Sequence, residues 1–221
     1  MKRYLPHSAF GFATVFILLA ALITLFPVTL SVVDTFVHTL AIPLQTPGWS
    51  NVFVVITTFG STEAVIAVFL VIAYLYRHRP DIIARLLLAL LGATISGEYI
   101  KELLHRARPT TLAGLQAIHS YSFPSGHSNE SMVLYGFLGV LLFIHAKSRP
   151  AKIAAIIVPT LIILLVGVSR IVLNYHYLTD VLGGFMLGAF WLAVSFAIPL
   201  YRTLYHYDTV SHTEPITRPL V

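Results

Sequence analysis

The feature that most limits the folds open to this chain is a set of long apolar stretches, each close to the thickness of a bilayer. A bilayer core of about 30 Å needs roughly 20 apolar residues per helical span. Six stretches reach or approach that length: 9–30, 52–76, 82–104, 129–145, 153–173 and 179–201. Of the 221 residues 57% are hydrophobic and only 10% are charged, whereas soluble domains carry about a quarter of charged residues. The pattern predicts an all-α, polytopic membrane protein built as a six-transmembrane-helix bundle.

No linker, repeat or low-complexity tract divides the chain. We therefore predict one transmembrane domain over residues 1–207 and a polar cytoplasmic tail over 208–221. The chain has no cysteine, which excludes disulfides and thiol chemistry. A cleaved signal peptide is an alternative for the first stretch, because Lys2 and Arg3 precede it. That apolar run is long for a signal peptide and lacks a small-residue cleavage site.

The positions of the basic residues predict the topology. The formal net charge is +5, but ten of the fourteen Lys and Arg residues lie on one side of the predicted spans, which argues for membrane topology rather than nucleic-acid binding. By the positive-inside rule this side is cytoplasmic. Both termini are then cytoplasmic in a cell inner membrane, and the segment 31–51, without Lys or Arg, is expected to be an outside loop.

Four basic residues break this rule, and they fall in or beside three polar segments on the outer face. The segments are "KELLHRARP" at 101–109, "PSGH" at 124–127 and "SRIVLNYHYLTD" at 169–180. The four residues are Lys101, Arg106, Arg108 and Arg170. Arg forks match phosphate oxygens, Lys adds a point charge, and a glycine turn at a helix start presents backbone N–H groups. The cluster predicts an anion site.

Two histidines supply candidate catalysts for that site. If the last helix begins near Tyr175, His176 and Asp180 lie on one helix face at i and i+4. The carboxylate then holds one ring nitrogen and leaves the other free to attack a phosphate. His127, on a different segment, is placed to protonate the leaving oxygen from the opposite side.

These segments resemble the signature of the type 2 phosphatidic acid phosphatase (PAP2) superfamily of membrane lipid phosphatases. That signature has Lys, six residues and Arg-Pro, then Pro-Ser-Gly-His, then Ser-Arg, five residues, His, three residues and Asp. The chain fills every position, at Lys101, Arg108 and Pro109, at 124–127, and at Ser169, Arg170, His176 and Asp180. One departure is Leu178, where many bacterial relatives have proline, and that position carries no chemistry.

The resemblance implies a division of roles. It implies His176 as the nucleophile that forms a phosphohistidine, Asp180 as the residue that orients it, and His127 as the general acid. The residues implied to hold the substrate phosphate are Lys101, Arg108, Ser125, Gly126 and Arg170. The resemblance implies no metal and no other cofactor.

Several polar residues keep two interpretations. Arg106 belongs either to the substrate rim or to head-group contacts. Glu98 precedes Lys101 by three residues, which favours an ion pair between them, and Glu63 is a candidate capping residue where "GSTE" restarts a helix. Three loop residues either line the entrance or reflect ordinary loop polarity: His119, Tyr121 and Ser122.

The predicted function is hydrolysis of a lipid phosphate within the bilayer. The alternatives are a lipid-phosphate carrier or flippase without hydrolysis, and halide oxidation with bound vanadate, as in soluble relatives of the superfamily. A carrier needs a site reachable from both sides, whereas these residues cluster at one face. The candidate substrates are undecaprenyl diphosphate, phosphatidylglycerophosphate, phosphatidic acid and lysophosphatidic acid. The sequence favours the first two without a deciding residue, and it leaves the oligomeric state open.

Overall fold

The computed structural model describes residues 5–109 and 120–198, and the regular structure in these ranges is entirely helical. The prediction of an all-α membrane bundle is therefore confirmed. The helices are α1 (Leu5–Leu25), α2 (Pro27–Ala41), α3 (Pro47–Thr58), α4 (Thr62–Leu75), α5 (Pro80–Leu104), α6 (Gly126–His145), α7 (Arg149–Val172) and α8 (Leu178–Ala197).

Prolines and serines mark where the helices begin. A proline lies in the first turn of α2, α3, α5 and α7, where its missing N–H costs no helical hydrogen bond. Ser61, Ser125 and Ser148 cap α4, α6 and α7, because each side chain accepts a backbone N–H of the first turn. Glu63, a candidate capping residue in the sequence, lies in the first turn of α4, while the cap itself is Ser61.

Helices α6 and α8 pack closely against each other. Two glycines of α8 bring its backbone directly onto α6. A Cβ at Gly184 would lie 2.5 Å from the carbonyl oxygen of Ser125, and one at Gly188 would lie 2.5 Å from that of Asn129. Only glycine permits this approach. The start of α6 is therefore held against the start of α8.

Seven helical segments in the described ranges are long and apolar enough to cross a membrane, one more than the six stretches predicted. The additional segment is 27–44, which comprises α2 and a short 3-10 turn at Ile42–Leu44. The segment 31–51, which we expected to be an outside loop, is therefore largely helical. The physical reason is Pro27, which cannot continue the hydrogen-bond ladder of α1 and instead begins a new helix.

The segment from α2 to α3 nevertheless begins and ends at the same end of the bundle. Thr24, near the end of α1, lines a cavity together with Arg106. Thr57, near the end of α3, accepts a hydrogen bond from Arg170 at 2.8 Å. Asp34, in the middle of α2, also contacts the start of α8 at this end. Because the segment begins and ends at the same end, α2 and α3 add no net passage. Six passages connect the two ends of the bundle, made by α1 and by α4 to α8.

The opposite end carries basic residues between the spans. Arg85 of α5 donates to the backbone oxygens of Ser195 and Ile198 at the end of α8. Further basic residues at this end lie between α4 and α5, between α6 and α7, or in the first turn of α7: Arg77, Arg79, Lys147, Arg149 and Lys152. The predicted tail 208–221, the domain boundary at 207 and His119 lie outside the described residues.

Candidate active site

The three polar segments predicted to form a site meet at one end of the bundle. The first comprises the C-terminal turn of α5 and the residues after it, the second is the turn that begins α6, and the third joins α7 to α8. Backbone hydrogen bonds tie the segments together. The N–H of Ser125 donates to the carbonyl of Asp180 at 3.0 Å, and the N–H of Ser122 donates to that of Arg106 at 2.8 Å.

His176 lies in the connection before α8 and not on the helix itself. Helix α8 begins at Leu178, so the expectation of a helix from Tyr175 is wrong. The backbone of Asn174 takes a left-handed conformation, with φ of 58°. The chain turns back there, and the N–H of His176 donates a hydrogen bond to the carbonyl of Arg170 at 3.1 Å. This turn, rather than helical spacing, places the imidazole beside Asp180.

The two nitrogens of the His176 ring have different surroundings. Nδ1 lies 3.6 Å from Oδ2 of Asp180 and 3.4 Å from Oγ of Ser122. The Ser122 hydroxyl donates to the same Asp180 oxygen at 2.5 Å, so its oxygen is available to accept an Nδ1–H. Nε2 faces the guanidinium of Arg108, with Nη1 at 3.0 Å. This arrangement favours the tautomer that carries its proton on Nδ1.

Burial keeps the His176 ring neutral. The side chain is 3% exposed, and desolvation lowers the pKa of His176 to about 4 from its ordinary value of 6.5. Asp180 opposes this pKa shift through its hydrogen bond and its charge, while the charges of Arg170 and Arg108 add to it. A neutral ring with an unprotonated Nε2 is the form that can act as a nucleophile.

The start of α6 presents backbone donors to the same space. Ser125 is the N-cap, and its fully buried side chain accepts from the N–H and hydroxyl of Ser128. Gly126 and His127 follow in the first turn, where N–H groups have no helical acceptor. A Cβ at Gly126 would lie 3.6 Å from Nζ of Lys101. The helix start and the lysine therefore converge on one point, which suits an anion.

Three cationic side chains surround that point. Lys101 is 7% exposed and pairs with Glu98 at 2.5 Å, so the predicted ion pair is present. Arg170 is 4% exposed and lies 4.4 Å from the Tyr175 ring centroid, and its Nε has no hydrogen-bond partner among the described residues. Arg108 donates to backbone oxygens of the loop and of the α7–α8 connection. Of the three, Arg170 is a buried cation with an unsatisfied N–H, and such a group favours an anionic ligand.

His127 lies across the site from His176, on a separate helix. It is close enough to Lys101, Arg108, Arg170 and His176 to interact with their charges. Its Cβ packs against the α3–α4 break, where a Cβ at Gly60 would lie 3.2 Å away. The structure thus brings all eight predicted site residues to one location. It holds no group of three or more potential metal-ligating side chains within the described ranges.

Three polar residues lie closer to the catalytic groups than sequence reasoning indicated. Arg106 bridges the carboxylates of Asp34 and Asp180 with its guanidinium, a contact that neither of its two interpretations included. Ser122 is fully buried beside His176, not at an entrance. An acidic residue such as Asp34 within an otherwise apolar segment is itself a functional signal, and it was available in the sequence.

Comparison with known proteins finds relatives over most of the chain. Residues 82–204 match the PAP2 superfamily. Phosphatidylglycerophosphatase B of Bacillus subtilis (strain 168) is 33% identical over 191 residues, which are 84% of this chain and 90% of that protein.

Two crystal structures resemble the fold. One is a transmembrane PAP2-type phosphatidylglycerolphosphate phosphatase from Bacillus subtilis, with a TM-score of 0.76 and 26% identity over 94% of this chain and 100% of that one. The other is Aquifex aeolicus LpxE, with a TM-score of 0.60 and 21% identity over 74% of this chain and 94% of that one.

Proposed function

Because this chain belongs to the PAP2 superfamily, we propose that it is a membrane lipid phosphatase that releases phosphate through a phosphohistidine on His176. The observation that carries the proposal is the orientation of the His176 ring. Nδ1 is held by Ser122 and Asp180, while Nε2 faces Arg108. A ring held in this way can attack a phosphorus atom bound between those groups.

The reaction proceeds in two balanced steps. Nε2 of His176 attacks phosphorus, the bond from phosphorus to the leaving oxygen breaks, and His127 donates a proton to that oxygen. Water then attacks the phosphohistidine and gives a proton to His127, and phosphate leaves with the restoration of neutral His176. The two negative charges of the phosphate favour a protonated His127 in the complex. Asp180 offsets the positive charge that develops on the His176 ring in the first step.

Five residues provide the phosphate-binding site in this proposal. The side chains of Arg108, Arg170 and Lys101 offset the charge of the equatorial oxygens, as a metal ion does in other phosphatases. The backbone at Ser125 and Gly126 directs the N-terminal end of α6 toward the same oxygens. The enzyme therefore acts without a metal or other cofactor.

Phosphatidylglycerophosphate is the substrate that we favour. The Bacillus subtilis protein and the Bacillus subtilis crystal structure that this chain matches over most of their length are both named for it. The site lies at the ends of apolar helices, a depth at which a lipid's phosphate meets the catalytic groups while its acyl chains stay in the hydrocarbon. Undecaprenyl diphosphate and phosphatidic acid satisfy the same geometry, and they belong in the test.

We further propose that the site faces the extracytoplasmic side of the cell inner membrane and that both termini are cytoplasmic. The support is the basic residues between the spans, which lie at the end of the bundle opposite to the site. Because six helices pass between the two ends, the beginning of α1 and the end of α8 lie at the same end of the bundle. The positive-inside rule then makes the basic end cytoplasmic.

Hydrolysis by purified protein in mixed micelles tests the function. Phosphate release is measured with phosphatidylglycerophosphate, undecaprenyl diphosphate, phosphatidic acid and p-nitrophenyl phosphate. We expect the first to give the largest kcat/KM. Binding of a lipid without release of phosphate would favour a carrier and contradict the proposal.

Variants of the two histidines test the mechanism. His176→Ala should abolish turnover of every substrate, and acid quenching with a ³²P-labelled substrate should leave no label on it. His127→Ala should lose about a hundred- to ten-thousand-fold on the lipid, whose alkoxide needs a proton, and distinctly less on p-nitrophenyl phosphate. Label on His176→Ala, or equal losses on both substrates for His127→Ala, would contradict these roles.

A further inference from the structure

Asp34 of α2 is buried at the site although it belongs to none of the three motifs. The residue is 2% exposed. Its Oδ1 accepts from the backbone N–H of Thr179 at 3.0 Å, and its Oδ2 accepts from the Thr179 hydroxyl at 2.8 Å. Asp34 therefore caps the start of α8 from a different helix, one residue before Asp180.

Arg106 connects Asp34 to Asp180. Its Nη2 donates to Oδ2 of Asp34 at 2.7 Å, and its Nη1 donates to Oδ1 of Asp180 and to the Thr179 hydroxyl. The guanidinium lies 4.6 Å from the ring centroid of Tyr177. The carbonyl of Arg106 also accepts the N–H of Ser122 at 2.8 Å. Arg106 thus contacts both groups that face Nδ1 of His176.

We propose that Arg106 and Asp34 are positioning residues that hold Asp180, and through it the His176 ring, in the reactive arrangement. The proposal rests on the proposed function of His176 as the nucleophile. It assigns the cations of the site to two tasks. Arg106 pairs with the carboxylates of Asp34 and Asp180. Lys101, Arg108 and Arg170 bind the substrate phosphate.

The burial of Asp180 explains why a cation is required there. The Asp180 side chain is fully buried, and an uncompensated carboxylate in such a place is strongly unfavourable. Of its two oxygens, Oδ2 is shared among the Ser122 hydroxyl, the Tyr177 N–H and the His176 ring. Arg106 binds the other oxygen, and this leaves Oδ2 directed at His176.

The shape of the guanidinium explains why this cation is an arginine with a second carboxylate partner. A planar fork reaches two carboxylates at once, whereas a lysine ammonium is a point charge without that geometry. Asp34 binds Nη2 of the guanidinium, whereas Asp180 binds Nη1. Apolar side chains of α2 at i, i+4, i+8 and i+12 point away from the bundle and are exposed: Val28, Val32, Phe36 and Leu40. Asp34 is therefore the polar anchor of this helix on the site.

Two readouts test the proposal, and one of them does not need turnover. The ¹⁵N chemical shifts of histidine-labelled protein in micelles report which ring nitrogen of His176 carries the proton, with the resonance assigned from His176→Ala. We expect Nδ1–H in the unmodified protein and a mixture of tautomers in Arg106→Gln. Arg85→Gln is the matched control, because Arg85 also donates two hydrogen bonds to another helix but at the opposite end of the bundle. An unchanged His176 tautomer in Arg106→Gln would overturn the proposal even if the protein hydrolyses no lipid.

The kinetic readout separates positioning from substrate binding. We expect Arg106→Gln to lower kcat by about a hundred-fold with little change in KM, as for misplacement by about 1 Å. Arg106→Lys should recover part of this loss, because it restores the charge without the fork. Asp34→Asn should lose about tenfold, since the amide still accepts hydrogen bonds but carries no charge.

The background of Asp180→Asn provides the decisive comparison. If Arg106 acts through Asp180, Arg106→Gln should cost less than about threefold in that background, because the group it holds is already gone. Equal losses in both backgrounds, or a rise in KM with unchanged kcat, would refute positioning. If the unmodified protein released no phosphate, the proposed function would be refuted instead. The tautomer of His176 would still decide the role of Arg106. If Arg106→Gln does not fold, Arg106→Lys replaces it as the test variant. An unchanged His176 tautomer and an unchanged kcat in Arg106→Lys would then refute the proposal.

Discussion

Replacing Gly184 with alanine should lower activity by displacing the start of α6, against which Gly184 packs. Gly184 belongs to α8, and its Cα faces the turn that begins α6. An added Cβ would lie 2.5 Å from the carbonyl oxygen of Ser125 and 2.9 Å from Cβ of Ser128. Ordinary contact begins at 3.4 Å, and the obstructing atom nearest to the new methyl group is backbone.

The magnitude follows from that shortfall. The Ser125 carbonyl must retreat by about 0.9 Å, and it moves the N–H groups of the first turn of α6 with it. A misplacement of about 1 Å costs about a hundred-fold in rate, which corresponds to about 2.7 kcal/mol of activation free energy. Overpacking costs about 1–3 kcal/mol of stability, and the helix propensity of alanine returns up to about 1 kcal/mol. We therefore expect the increase in activation free energy, measured from kcat, to exceed the decrease in the free energy of unfolding.

The assay compares Gly184→Ala with Gly11→Ala, which also lies within a helix. A Cβ at Gly11 meets nothing within 4 Å, so this control gains helix propensity without a clash. Turnover of phosphatidylglycerophosphate and thermal unfolding in the same detergent are measured for both variants. A Gly184→Ala protein with unmodified kcat and unmodified unfolding temperature would show that the α6–α8 contact does not position the site.

Three further predictions concern the nucleophile, the metal and the topology. Because burial lowers the pKa of His176 to about 4, the ring stays neutral as the pH falls from 7 to 5. The kcat/KM, corrected for substrate ionisation, should therefore show no acid limb near 6.5, and a limb there would contradict the buried nucleophile. Phosphate release should persist in excess chelator, and vanadate should inhibit it; loss in chelator with rescue by magnesium would mean that the cations do not replace a metal. A cysteine at Thr111 should react with an impermeant thiol reagent added outside intact cells while one at Ser148 should not, and the reverse pattern would place the site in the cytoplasm.

The three motifs and the apolar stretches could be interpreted from the sequence because they are local properties. The length of an apolar run decides whether a helix can span a bilayer, whatever it packs against. The spacing within each motif keeps Arg108 near Lys101, and Asp180 near His176, along short pieces of chain. The Glu98–Lys101 ion pair was predictable for the same reason, since residues three apart on a helix are neighbours.

Helix boundaries were less predictable, because the energy of a break depends on its surroundings. The stretch 9–30 has uniform hydropathy, yet Pro27 ends one helix and begins the next. His176 reaches Asp180 through a left-handed residue at Asn174 rather than through a helical turn. Both differences follow from backbone geometry that the apolar pattern does not record.

The sequence by itself determined the membrane class, the three segments and the end of the bundle at which they meet. The tertiary structure alone decided which charges face one another there. Asp34 contacts Arg106 across 72 residues and Thr179 across 145, and no periodicity links positions so far apart. A buried charge takes whichever opposite charge the packed helices bring beside it. That is why Arg106 faces two carboxylates and not a head group.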